Sequence, residues 1–183
     1  MSGFEYIFTF YGLLLGLAVA NATNNVAEMW RSSPEVKVGL PPPLLCLFIL
    51  LSAAQGWTSF WAVHDSLTME PVTLMMCIGM AAPYIFVSHG MTPAREGSAS
   101  FEDYYITHRK TLMAVLVIPP LLSMAYNLAR SGFEPLGETA YWIGVLVLPR
   151  VVIPAALAFI RSPGLHALGL TILCAHTIWR IFL

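Results

Sequence analysis

Three side chains in otherwise apolar stretches carry the chemistry open to this chain: Arg150, Gln55 and His176. Arg150 falls near the middle of residues 141–160, an apolar run in which Pro149 and Pro154 stand on either side of it. A cation at that depth in a bilayer costs about 3 kcal/mol on insertion scales and more in simulations, so it needs a partner. No Asp or Glu lies inside any apolar run, which leaves no carboxylate at its depth within the chain. The remaining candidates are the carbonyls of Val145 and Arg150, freed by the two prolines, then Gln55 and water. An acid on another subunit, or an anionic or carbonyl-bearing ligand, completes the set. Counting about 1.5 Å per residue puts Gln55 and His176 at a similar depth on two other helices.

His176 is the one histidine inside an apolar run. A hydrogen-bonded packing residue is the ordinary reading for it. Two-histidine haem ligation needs a second ring at similar depth. His89, His108 and His166 fall at run ends, and so does His64. The expectation is no cofactor, with a haem between His64 and His176 as the alternative. No metal-ligand spacing, phosphate loop, nucleophile elbow or HExxH motif occurs, so neither a catalytic nor a metal residue is assigned.

Other polar groups cluster at the ends of the runs. Asn21, Asn24 and Asn25 precede Glu28, and their i,i+4 spacings suit either an interhelical clasp or a polar vestibule. Gly12, Gly16 and Ala20 share a face with Asn24, and small residues so spaced let helices approach closely. His108, Arg109 and Lys110 form a cluster suited to lipid headgroups.

The elements that must hold these groups follow from composition. Of 183 residues, 57% are hydrophobic and only 10% charged; soluble domains carry about 25% charged residues. The apolar residues come in blocks, as in a polytopic helical membrane protein. A net charge of −1 without a basic patch argues against nucleic acid as a partner. Cys46, Cys77 and Cys174 all lie in apolar blocks, where thiols act as small hydrophobes. The N-terminal run has no Lys or Arg before it, which predicts a retained span rather than a cleaved signal.

The predicted fold is all-α, a single transmembrane domain over residues 1–183 with short loops. Six spans are expected, near residues 6–27, 44–63, 72–88, 111–128, 141–160 and 165–182; the alternative is five plus one interfacial helix. Arg31, Lys37, Arg95, Arg109, Lys110 and Arg161 fall on one side and Arg130 on the other. The positive-inside rule then puts both termini outside the cytoplasm, in a cell membrane of the bacterial inner-membrane type. Echoes such as Asn25-Val-Ala and Asn127-Leu-Ala suggest a three-plus-three inverted repeat, residues 1–90 and 98–183.

Two functions fit. One is a small oligomeric transporter or channel with an anion-interacting site around Arg150, Gln55, His176 and the asparagines. The other is a non-catalytic accessory or scaffold subunit of a larger membrane complex. Membrane lipids, copies of itself or other membrane subunits are the expected partners.

Overall fold

A computed structural model describes residues 3–33, 35–64, 70–91, 100–131, 140 and 142–182. Arg95 and the side chain of Arg130, both used above to orient the chain, lie outside the described set. Every regular element among the described residues is helical. The helices are α1 (Gly3–Ser32), α2 (Pro41–Ala62), α3 (Pro71–His89), α4 (Phe101–Leu116) and α5 (Ile118–Ser131). A π-helical stretch, Trp142–Val147, leads into α6 (Leu148–Phe159), and α7 (Pro163–Ile181) ends the chain.

Local chemistry sets these boundaries. Proline stands in the first turn of α2, α3, α6 and α7, where a missing N–H is harmless and φ is already helical. Ser100 caps α4: its Oγ accepts from the Asp103 N–H at 2.9 Å and donates to Asp103 Oδ2 at 2.6 Å. This is the N-cap half of a capping box; the Asp103 carboxylate takes the Ser100 hydroxyl and not its backbone N–H. Pro119 and Pro120 withdraw two donors, and the apolar run breaks into α4 and α5 at Val117. Pro83 is absorbed within α3.

Among the described residues four helices are long and apolar enough to cross a membrane: Gly3–Ser32, Pro41–Ala62, Pro71–His89 and Phe101–Ala129. The last is α4 and α5 taken together. Ile143–Phe159 is apolar but shorter.

Helix ends gather at two poles. Phe4 of α1 stacks on Phe60 and meets Trp61 edge-on, so α1 starts where α2 finishes. At the opposite pole, Asn25 donates from Nδ2 to the Ser88 carbonyl, tying α1 to the end of α3. There too the Phe101 N–H bonds the Lys37 carbonyl at 3.2 Å, and Lys37 Nζ pairs with Glu102 Oε1 at 2.8 Å. That hydrogen bond raises the Lys37 pKa above the ordinary lysine value. Gly39 has φ +72° here, and its missing Cβ leaves the place that the Glu102 side chain fills. We call the two ends the Ala62 pole and the Phe101 pole.

The Phe101 pole is densely packed. Leu45, Ile49, Tyr105, Met113, Leu170 and Leu173 are fully buried in one continuous cluster. Tyr105 donates its hydroxyl to His166 Nδ1 at 2.7 Å, and His166 Nε2–H donates to the Ile160 carbonyl at 3.0 Å. A smaller cluster of Ile7, Tyr11, Leu15, Ala53, Cys77 and Ala81 holds α1, α2 and α3 together nearer the Ala62 pole.

Candidate functional site

The polar face of α2 is the base of the site. Ser52, Gln55 and Ser59 recur at steps of three and four, so they share one face, with Phe48 a turn further on. Thr177 and Arg180 are three apart on α7 and align in the same way. Arg150 projects from α6 between them. Its Nη2 donates to Thr177 Oγ1 at 2.9 Å and to Ser52 Oγ at 3.3 Å. Its Cζ lies 5.7 Å from the centroid of the Phe48 ring, within cation–π range. Its Nε is buried with no hydrogen-bond partner among the described residues, and so is Gln55 Oε1.

Beside this cluster opens a cavity of about 560 Å³. Arg150, Gln55 and Ser52 line its deep end. Val63, Thr73, Asn127 and Arg180 line it toward the Ala62 pole. Tyr11, Tyr84, Ser123 and Tyr126 add polar groups, and no carboxylate is among the described lining residues. Gly56 belongs to the same wall; a Cβ there would lie 2.9 Å from the Tyr11 hydroxyl, so its bareness lets the phenol reach α2. None of the lining residues comes from the packed cluster at the Phe101 pole apart from Tyr84 at their boundary. Among the described residues the lining therefore runs from Arg150 toward the Ala62 pole and stops short of the packed Phe101 pole.

The π-helical stretch shapes that floor. Pro149 has no N–H to offer the Val145 carbonyl, which the sequence predicts to be free. His176 takes it: Nε2–H donates to Val145 O at 2.8 Å, leaving Nδ1 buried without a partner. His176 thus positions the helix that carries Arg150 and does not itself line the cavity. Arg150 meets hydroxyls instead of the freed carbonyls, and no hydrogen bond joins it to Gln55 among the described residues.

The other predicted groups sit elsewhere. Asn25 is buried at the Phe101 pole, Asn21 is half-buried and Asn24 is exposed, so none reaches the cavity. Gly12 packs near Trp57, with 3.2 Å left for a Cβ, whereas Gly16 and Ala20 are exposed. His108 and Lys110 are exposed, but Arg109 turns inward and is 7% exposed, with Nη1 donating to Ile106 O at 2.7 Å. His64 stacks on Trp61 and meets Phe4 edge-on at the Ala62 pole. No group of three or more His, Cys, Asp or Glu side chains forms a candidate metal site among the described residues.

Sequence reasoning missed Arg180, Ser52 and Thr177. The spacing signal was present, since each lies three residues from Gln55, Arg180 or Thr177 on its own helix.

Fold and cavity together define a class: an all-helical protein with membrane-length apolar helices and a cationic cavity set among them. Comparison with protein family models, curated proteins and solved structures finds no match for this chain.

Proposed function

We propose that the chain is a small membrane transporter for anions, with Arg150 as the binding centre. The observation that carries this reading is the cavity of about 560 Å³ lined by Arg150 and Arg180, with no carboxylate among the described lining residues. A guanidinium in such a site favours an anion that can take its remaining donors. The described lining stops short of the packed Phe101 pole, which favours a transporter over a channel, because a pore needs a path at both poles. In this reading all six apolar stretches cross the bilayer, α4 with α5 forms one broken span, and the π stretch with α6 forms another. The Ala62 pole then faces away from the cytoplasm, as the Lys and Arg distribution suggests. Proline-interrupted helices around a midplane site recur in transporters.

Electrometry on proteoliposomes tests this reading. Pulses of chloride, sulfate, phosphate and a short alkanesulfonate are applied in turn. At least one is expected to give a protein-dependent current, and Arg150→Gln should lower it at least tenfold while circular dichroism stays unchanged. Silence for all four anions, or full current in Arg150→Gln, rejects the proposal.

A further inference from the structure

The cavity is far more than a socket for a simple ion. At about 560 Å³ it lies within the range that buries organic ligands of drug-like size. Its cations are gathered on α6 and α7. An apolar wall comes from Phe60, Met76, Met80 and the Pro119–Pro120 pair, with Val147 one turn from Arg150. A bare oxyanion would satisfy Arg150 and leave that wall facing water. Methionines line two turns of α3 on this wall, and their unbranched, polarizable side chains adapt to flexible apolar bodies.

We infer that the ligand is an amphiphilic organic anion, whose acidic headgroup meets Arg150 and Arg180 and whose apolar body lies along Phe60, Met76 and Met80. This inference rests on the anion-binding reading above and narrows it to one chemical class. The described lining runs to the Ala62 pole, which in the reading above faces bulk water and the outer lipid layer, so the anion can come from solution or from a lipid. The chemistry recognised is the same in either case.

The test uses the full chain in phosphatidylcholine nanodiscs, with thermal unfolding as the readout. The probes are 1-octanesulfonate, inorganic sulfate and 1-octanol. Octanesulfonate and sulfate stay charged at every working pH, so only the tail differs. Octanesulfonate at a hundredfold excess over its Kd should raise the midpoint by about 5 °C. Sulfate and octanol at the same concentration should raise it by less than a fifth as much. Arg150→Gln should remove the octanesulfonate effect; Arg180→Gln, farther from the packed core, should weaken it and guards against misfolding of the first variant. Met80→Ser should weaken octanesulfonate about tenfold.

Equal protection by sulfate and octanesulfonate overturns the amphiphile and leaves the anion transporter standing. Equal protection by octanol and octanesulfonate overturns both. No protection by any probe also overturns both. Nanodiscs containing phosphatidylglycerol assign the source: loss of the octanesulfonate effect there identifies the lipid itself as the amphiphilic anion, and its persistence identifies a water-borne one.

Discussion

Arg150 holds its charge with neutral partners alone: two hydroxyls and a phenyl face. The cation and the lack of a carboxylate were both readable, because a lone charge in an apolar run stands out. Its real partners were not, since serine and threonine are common in membrane helices and nothing marks these two before the helices pack. Arg180 was missed for a related reason. An arginine near a helix end reads as reaching for the interface, whereas here it turns toward the cavity. Arg109 shows the same error at the other pole. The Tyr105–His166–Ile160 chain is the clearest structural polar network. Tyr105 is fully buried, so Tyr105→Phe strands His166 Nδ1 without a donor. The expected cost is about 1–3 kcal/mol, measured as a lower unfolding midpoint in detergent. An unchanged midpoint would mean that water replaces the phenol.

Helices were legible at the level of their prolines and apolar runs. The break at Val117 and the Ser100 cap follow from residue chemistry that acts within one turn. Helix pairing was less legible. The small-residue face of Gly12, Gly16 and Ala20 suggested a close approach; Gly12 meets Trp57, but Gly16 has nothing within 4 Å of a built Cβ. Tighter contacts lie elsewhere. At Gly169 a Cβ would stand 2.9 Å from Leu157 Cδ1 and 3.3 Å from Ile153 Cγ2, both on α6. Gly169→Ala therefore overpacks the α6–α7 seam and should cost about 1–3 kcal/mol. Gly16→Ala meets open space and should be neutral or slightly stabilising through helix propensity. Paired unfolding curves for the two variants check both statements, and equal effects would mean that α6 and α7 are not so close. A glycine's spacing shows where an approach is allowed; only the partner helix decides where it happens.

At the scale of the whole molecule the two poles differ: the described cavity lining runs to the Ala62 pole, and the Phe101 pole is closed by packed side chains. Composition predicted the class of protein but not this asymmetry, which arises from side chains far apart in sequence. The closed pole is fastened at its surface by Lys37 and Glu102, and by the bond from Phe101 N–H to the Lys37 carbonyl. In an alternating transporter this seam must part. Lys37→Cys with Glu102→Cys, in a chain whose Cys46, Cys77 and Cys174 are alanine, can be bridged by a short bifunctional thiol reagent. Bridging should abolish net flux and leave thermal protection by octanesulfonate intact. Flux that survives complete bridging would mean that the seam need not open. The proposed transporter has an electrical consequence as well. With the Ala62 pole outside and water reaching Arg150, as that proposal requires, the outside potential is carried about half-way through a hydrocarbon core of ~30 Å. The resting voltage then falls across the remaining packed half, roughly doubling the field there. Arg109, Tyr105 and His166 stand in that layer, so the steepest part of the membrane's voltage drop lies across the closed pole and not across the mouth of the cavity.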